Sequence, residues 1–116
     1  MALELRPLSD AIGAEVLGVD LTSPLDDGVI ADIRGAWLDH NILLFRDVDW
    51  TPAQHVAFTR RLGDLHIMPG LAHETSTNHP DHPEIMVVSN VKRNGVPIGL
   101  RRAGWGWHSD GEDKRL

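Results

Sequence analysis

Apolar residues in the first half of the chain follow two different periods. The run AEVLGVDL, residues 14–21, alternates loosely between apolar and polar positions, which predicts a strand interrupted by Gly18. Ile30, Ile33 and Trp37 then follow at three- and four-residue spacings. Side chains at these spacings share one side of a helix, so we expect an amphipathic helix that turns these three residues inward.

Boundary signals flank this helical pattern. Ser23 offers a capping hydroxyl and Pro24 suits the first helical position, so we place the start of the helix at this pair. Asn41 is the predicted terminator, because asparagine tolerates the left-handed conformation that follows many helices. The continuous apolar run ILLF, residues 42–45, comes directly afterwards and predicts a buried strand.

A second helix has the clearest start signal in the chain. Thr51 and Gln54 have the spacing of a capping box, and Pro52 fits the first helical position. Gly63 is a suitable terminator. The residues that we expect to face inward are Val56, Ala57 and Leu62.

The pattern becomes irregular after this helix. Residues 69–83 contain three prolines and three histidines, which predicts a long irregular connection. Residues 85–88 resume as a predicted strand. Asn94–Gly95 is a strong signal for a tight turn, because both residue types accept a positive φ. Pro97 restricts the returning segment to an edge or an irregular position.

Length and composition restrict the class of protein. The 116 residues suffice for one small domain, and a hydrophobic content of 41% is typical of a globular chain. No cysteine is present, which excludes disulfides and thiolate metal sites. Neither a signal peptide nor a membrane span is recognisable, so we expect a soluble cytoplasmic protein that does not bind membranes.

The net charge and the histidine content restrict the possible functions further. The formal net charge of −6 argues against nucleic-acid binding, which normally requires a basic face. Seven histidines are many for a chain of this length, and they direct attention to metal ligands. The segments around the other six histidines show no established ligand spacing, so His108 is the leading candidate. The sequence leaves a homo-oligomer open.

The segment GWGWHSD, residues 104–110, contains the best candidates for chemistry. On an extended strand His108 and Asp110 would project from the same face, with Cα atoms about 6.6 Å apart. An imidazole and a carboxylate are suitable ligands for Fe(II), and Trp105 and Trp107 would supply apolar walls. Taken alone, however, H-x-D occurs often by chance, and both tryptophans have an equally good interpretation as core residues.

Four segments together give a more specific indication. They are GAEVLGVDLTSPL, LDHNILLFRD, WTPAQHVAFTRRLGDLH and WHSD, in this order from about Gly13 to Asp110. With this order and spacing, the chain resembles the TauD/TfdA family of 2-oxoglutarate-dependent dioxygenases. In that family the histidine and the aspartate of the tryptophan-led motif bind the iron. The resemblance therefore implies that His108 and Asp110 are the metal ligands and catalytic residues.

The resemblance also implies a fold and a reaction. The fold is α+β, a partial double-stranded β-helix (jelly roll) with N-terminal helices packed outside the sheet. Family members use Fe(II), O2 and the co-substrate 2-oxoglutarate to hydroxylate or oxidatively cleave a small organic acid-like substrate, and they release succinate. The implied partners are accordingly a small-molecule substrate and O2.

Two departures from the taurine-cleaving members concern the substrate pocket. Those enzymes have a sulfonate-binding histidine two residues after the segment that is GDLH here, residues 63–66, and the matching position is Met68. They also have an asparagine four residues before the iron-binding histidine, where this chain has Gly104. Met68 and Gly104 are therefore candidate pocket residues, and taurine is an unsuitable substrate.

The family's third iron ligand and its 2-oxoglutarate-binding arginine follow the H-x-D motif at a distance that these 116 residues do not reach. We therefore expect residues 1–116 to be the N-terminal part of a single dioxygenase domain and to be inactive alone. Two alternatives stay open, namely a truncated or degenerate non-catalytic interaction module and, less favoured, a metal-dependent hydrolase. The coding sequence beyond Leu116 would distinguish the first alternative from the enzyme.

Overall fold

The computed structural model describes residues 3–67, 77–101, 104 and 106–109. The chain divides into two compact units, Met1–Leu65 and His66–Leu116, which we call the N-terminal unit and the C-terminal unit. Within the described ranges, no helix has both the length and the apolar character needed to cross a membrane.

A three-stranded sheet organises the N-terminal unit. Its strands are β1 (Glu4–Pro7), β2 (Ala14–Leu17) and β3 (Leu43–Leu44), in the spatial order β1-β2-β3. The first pair is antiparallel and the second is parallel. A parallel pair requires a crossover, and helix α1 (Asp27–His40) supplies it. Of the strand predicted over 14–21, only the part before Gly18 is formed. Gly18 has a φ of +71°, which is incompatible with the extended conformation and ends the strand.

Helix α1 begins later than the sequence predicted. Its N-cap is Asp26, whose carboxylate accepts a hydrogen bond from the backbone N–H of Val29 at 2.9 Å. The predicted cap, Ser23, instead donates its hydroxyl to the carboxylate of Asp20 at 2.7 Å. The prediction of Ser23–Pro24 as the helix start was therefore wrong, because Asp20 ties the serine into a preceding turn.

The end of α1 and part of its inner face agree with the prediction. Asn41 caps the helix with a φ of +63°, and its N–H donates to the carbonyl of Trp37 at 2.7 Å. Ile30 and Ile33 are buried, but Trp37 is 47% exposed and Ala36 is buried in its place. The indole N–H of Trp37 donates to the Asn41 carbonyl at 3.1 Å, so this side chain lies along the helix end.

Helix α2 (Pro52–Leu62) confirms the capping-box prediction. The backbone N–H of Gln54 donates to the Thr51 hydroxyl at 3.2 Å, and the Thr51 N–H donates to the Gln54 side-chain oxygen at 2.7 Å. Val56 is buried as expected, whereas Ala57 is exposed. The helix ends directly before Gly63, the predicted terminator.

The apolar core of the N-terminal unit is small. The buried hydrophobic residues are Ala14, Val16, Leu21, Ile30, Ile33, Ala36 and Val56. Strand β3 is shorter than the run 42–45, its two residues are half-buried, and Ile42 is 53% exposed. The prediction of a buried strand was wrong in this respect, because among the described residues β3 lies at the edge of the sheet, with β2 as its partner strand.

The C-terminal unit contains a short hairpin of β4 (Lys92–Arg93) and β5 (Val96–Pro97). Asn94 and Gly95 form the predicted turn, with φ values of +50° and +78°. Pro97 lies in a two-stranded ribbon, where both strands are edges and a missing N–H is tolerated.

The strand predicted over 85–88 is not formed. Met86 makes an isolated antiparallel bridge with Asn78, and Val88 makes an isolated parallel bridge with Leu100. Each partner pairs over a single residue, so no continuous ladder develops.

Glu15 is a buried carboxylate on β2, exposed by only 3%. Arg6, directly opposite on β1, donates to it from Nε at 3.0 Å and also from Nη2. Arg46, just beyond β3, donates from Nε to the second carboxylate oxygen at 3.1 Å. The hydrogen bonds and charges of Arg6, together with the charge of Arg46, lower the pKa of Glu15 despite its burial. This cluster joins all three strands.

The Glu15 cluster predicts a defined pH dependence. Since the folded-state pKa of Glu15 lies below its ordinary value of 4.5, the ion pairs stabilise the unit above about pH 4.5. That contribution is lost as the pH falls through the lowered pKa. We expect Glu15→Gln to lower the urea midpoint at neutral pH, with the difference from the parent chain narrowing as the pH falls below the ordinary pKa of 4.5. A difference that stays constant with pH would contradict a charge-based role.

Candidate metal centre

His108 is exposed, and the backbone carbonyl of Gly106 contacts its ring. Its Nδ1 lies 2.8 Å from the carbonyl oxygen of Gly106. A carbonyl oxygen can only accept a hydrogen bond, so Nδ1 must be the protonated nitrogen. In the neutral ring the lone pair is then on Nε2, the nitrogen that would bind a metal ion. Metal-binding histidines commonly use this kind of anchor.

Gly104 lies beside the same ring. A Cβ atom built at this position would be 3.6 Å from Cε1 of His108, which is an ordinary van der Waals distance. Its φ of +72° is in the left-handed region that favours glycine. Position 104 therefore borders the imidazole edge between the two ring nitrogens.

The other predicted site residues cannot be compared with the structure in the same way. Asp110 and Met68 lie outside the described residues, as does Trp105. Trp107 is described and is fully exposed, so the expectation that it forms an apolar wall was wrong for this chain. Residues 106–109 form no strand, so the alternation that would place His108 and Asp110 on one face is not present there.

Three further histidines are engaged in other contacts. The ring of His55 stacks on Trp50 with centroids 4.7 Å apart. The rings of His79 and His82 lie 5.4 Å apart, and Nδ1 of His79 accepts the backbone N–H of Asp81 at 3.2 Å. In the part of the chain that the structure describes, no group of three or more His, Cys, Asp or Glu side chains could hold a metal ion. Among the described residues, His108 therefore stays a candidate metal ligand, since a neutral imidazole nitrogen suits a divalent ion.

A cavity of about 310 Å³ lies within the N-terminal unit, between the segment 21–25 and α2. Its cationic residue, Arg61, donates to the Leu25 carbonyl at 3.0 Å and to the Asp27 carboxylate at 2.6 Å. The Asp27 carboxylate balances the charge of this guanidinium, and the Leu25 carbonyl accepts one of its N–H groups. We therefore assign this cavity to the packing of α1 and α2.

The sequence missed the anchor of His108. Backbone carbonyls leave no mark in a sequence, and the only signal near the motif was the pair of glycines at 104 and 106.

Known proteins align with nearly the whole chain. A model of the taurine catabolism dioxygenase TauD, TfdA family matches residues 4–113. Pentalenolactone F synthase of Streptomyces arenae is 37% identical over 93% of this chain. The (S)-phenoxypropionate/alpha-ketoglutarate-dioxygenase of Sphingobium herbicidovorans is 30% identical over 94% of it.

A solved structure agrees with these relatives. It is assigned as an alpha-ketoglutarate-dependent taurine dioxygenase from Burkholderia xenovorans and superimposes with a TM-score of 0.68 at 37% identity, over 79% of this chain. This likeness supports the family fold, a double-stranded β-helix. The described part of the chain has two helices and five short strands, so the partial β-helix itself stays a prediction.

The chain spans about a third of the length of these proteins, namely 36% and 35% of the two relatives and 33% of the solved structure. The family match nevertheless covers all but a few residues at either end of the chain. This chain belongs to the TauD/TfdA family of dioxygenases.

Proposed function

We propose that this chain supplies two iron ligands, His108 and Asp110, to an Fe(II)- and 2-oxoglutarate-dependent dioxygenase that acts with O2 on a small organic acid-like substrate. The observation that carries this proposal is the family match over residues 4–113, which includes the H-x-D motif. The presentation of Nε2 by the His108–Gly106 hydrogen bond supports it independently.

Each ligand has a distinct role in this proposal. His108 contributes a neutral nitrogen donor, held in one tautomer by the Gly106 carbonyl. Asp110 contributes a carboxylate that partly neutralises the ion. Two histidines and one carboxylate would hold the ion and leave its remaining positions to 2-oxoglutarate and O2, with the substrate held beside it by the pocket. When bound, Fe(II) supplies the activation of O2 for oxidation of a C–H bond.

The substrate class follows from the relatives and from two pocket positions. One relative is named for phenoxypropionate, an aryloxy acid, and another for pentalenolactone F. Met68 replaces the histidine that contacts the sulfonate in taurine-cleaving members, and Gly104 replaces their asparagine that contacts taurine. Neither replacement offers a charged or amide group, so we propose an organic acid with an apolar body instead of taurine.

The 116 residues alone provide an incomplete iron site in this proposal. Two ligands do not define the facial triad, and the third ligand and the arginine for 2-oxoglutarate belong to the remainder of the family's domain. We therefore expect the isolated chain to bind Fe(II) weakly and to show no turnover.

Replacing His108 by alanine tests the role of the motif. We expect anaerobic titration with Fe(II) to show weak binding to the parent chain and a loss of at least about tenfold in affinity for His108→Ala. His40→Ala is the matched control, because His40 lies at the end of α1, away from the motif in sequence, and should leave the titration unchanged. Equal titration curves for the parent and His108→Ala would remove the iron role and favour a non-catalytic interaction module.

Addition of 2-oxoglutarate tests whether the site is incomplete. We expect no visible charge-transfer band and no O2-dependent release of succinate when Fe(II) and 2-oxoglutarate are added to the chain. A tight complex with the band of a full site, formed by these 116 residues, would contradict the need for a third ligand.

A further inference from the structure

We propose that Asn94 is a modification site, where the chain deamidates spontaneously through a cyclic imide formed with the backbone nitrogen of Gly95. The products are aspartate and isoaspartate at the tip of the β4–β5 hairpin. The reaction needs no enzyme and no metal, because water is its co-reactant. The inference is therefore independent of the proposed iron role of His108.

The reaction exchanges one bond of the Asn94 side chain for another. The Gly95 nitrogen loses its proton to hydroxide and attacks Cγ of Asn94, so that a new N–Cγ bond closes the imide. The Cγ–Nδ2 bond breaks, and the side-chain amide leaves as ammonia after taking a proton from water. Water then opens the imide. Attack at Cγ gives aspartate, whereas attack at the main-chain carbonyl gives isoaspartate, whose backbone runs through the side-chain carbon.

The nitrogen of Gly95 is open to this reaction. A Cβ built at Gly95 meets nothing within 4 Å, and both turn residues are exposed. The strand pairing closes on Arg93 and Val96, which flank the turn. In the part of the chain that the structure describes, the N–H of Gly95 makes no hydrogen bond. The attacking nitrogen is therefore neither crowded by a side chain nor held by an acceptor.

The other three asparagines, Asn41, Asn78 and Asn90, are each followed by a nitrogen that is held. The three N–H groups belong to Ile42, His79 and Val91, and they donate to the His40 carbonyl at 2.8 Å, the Ile85 carbonyl at 2.8 Å and the Ser89 hydroxyl at 3.1 Å. Each of these nitrogens also has a side chain beside it. Both features oppose ring closure, so Asn94 differs from the other asparagines in structure as well as in sequence.

Ring closure also requires Asn94 to leave its turn conformation, in which φ is +50°. The hairpin that holds this turn is short, since β4 and β5 pair over two residues each. A two-stranded ribbon of this size is only marginally stable in water, so its local opening costs little free energy. Asn41 has a similar φ of +63°, but its N–H donates to Trp37 at the end of α1, where opening must break helical contacts.

Modification would change the hairpin in two ways. Both products add a negative charge beside the basic residues Lys92 and Arg93. Isoaspartate also lengthens the backbone by a methylene group, which a two-residue turn cannot accommodate with the same strand register. We therefore expect the isoaspartate form to lose the hairpin. Asn94→Asp is the control for charge alone and should keep it, because aspartate tolerates the left-handed conformation.

The experiment incubates the full chain in mildly acidic and in mildly alkaline buffer and follows all four asparagines by peptide mapping with mass spectrometry. We expect Asn94 to be converted at least about tenfold faster than each of the others, because its hairpin opens locally and Gly95 has no side chain. Conversion should be faster in alkaline buffer, since the nucleophile is the deprotonated nitrogen. Both aspartate and isoaspartate should appear, as expected for an imide intermediate.

Two variants separate the dipeptide from its structural setting. Gly95→Asp places a side chain beside the nitrogen in a residue type that tolerates the φ of +78°, so conversion of Asn94 should slow by at least about tenfold. Val91→Gly creates a second Asn-Gly pair, at positions 90 and 91, where the Ser89 hydroxyl holds the N–H. We expect Asn90 to react more slowly than Asn94 within that same variant.

Three results would overturn the inference. The first is an Asn94 that stays intact in the folded chain while a synthetic peptide of residues 90–98 is converted under the same conditions. The second is equal conversion of all four asparagines, which would indicate reaction of the unfolded chain. The third is equal conversion of Asn90 and Asn94 in Val91→Gly, because a held N–H would then give no protection.

Discussion

Replacing Ile33 by alanine is expected to destabilise the N-terminal unit by about 2–5 kcal/mol, the usual cost of truncating a buried isoleucine. Ile33 is exposed by only 1% and is the largest fully buried side chain among the described residues. It also lines a cavity of about 170 Å³ between α1, β3 and α2, so truncation would enlarge an existing void. Urea unfolding followed by circular dichroism measures the change.

Leu38→Ala is the matched control for Ile33→Ala. Leu38 lies on the same helix but is 76% exposed, so its truncation should change the free energy of unfolding by less than about 0.5 kcal/mol. If Ile33→Ala is unfolded without urea, Ile33→Val should give a measurable loss of about 0.5–1.5 kcal/mol. Coincident unfolding curves for Ile33→Ala and Leu38→Ala would show that the core is not where the structure has it.

Replacing Gly99 by alanine is expected to disrupt the C-terminal unit. A Cβ atom at this position would lie 2.5 Å from the carbonyl oxygen of Val87 and 2.9 Å from its carbonyl carbon. Backbone atoms cannot turn aside as a flexible side chain can. The Val87 carbonyl also accepts the N–H of Leu100 at 2.8 Å, and the Val87 N–H donates to the Thr77 carbonyl at 2.7 Å. Any shift of Val87 therefore weakens both bridges, at a cost of about 1–3 kcal/mol.

Amide hydrogen exchange of Val87 and Leu100 measures this effect. We expect both amides to exchange at least about tenfold faster in Gly99→Ala, while Ile30 and other amides of α1 keep their protection. Gly106→Ala is the control, because a Cβ built there meets nothing within 4 Å. Unchanged protection of Val87 in Gly99→Ala would mean that the two segments are not packed as closely as described.

Several features that depend on neighbouring residues were predictable from the sequence. The capping box of Thr51 and Gln54 and the turn at Asn94–Gly95 involve groups at most three residues apart. Asn41 ends α1 for a similarly local reason. The start of α1 was mispredicted because Ser23 has two possible local roles. It could cap a helix, but its hydroxyl instead donates a hydrogen bond to the carboxylate of Asp20.

Contacts between distant segments were not predictable in this way. The alternation of β2 placed Glu15 at a polar position, but only the sheet brings Arg6 and Arg46 to it and buries its carboxylate. The helical period of α1 placed Trp37 with Ile33, yet the packing leaves Trp37 half exposed. Periodicity identifies an apolar face without stating how much of that face the neighbouring elements cover.

For the candidate site too, some properties were predictable from the sequence and others came from the structure. The WHSD motif and the three segments before it identified the family and pointed to His108 and Asp110, because residue identity alone carries that information. The orientation of the His108 ring came from the structure, since a backbone carbonyl at Gly106 determines it.

The sequence by itself determined the family, the two helices and the residues with ligand chemistry, since these depend on side-chain identity and on spacings of a few residues. The tertiary structure decided which side chains are buried and why Gly99 must lack a side chain. Those properties arise from close contacts and torsion angles in three dimensions, and a linear order of residues does not specify them.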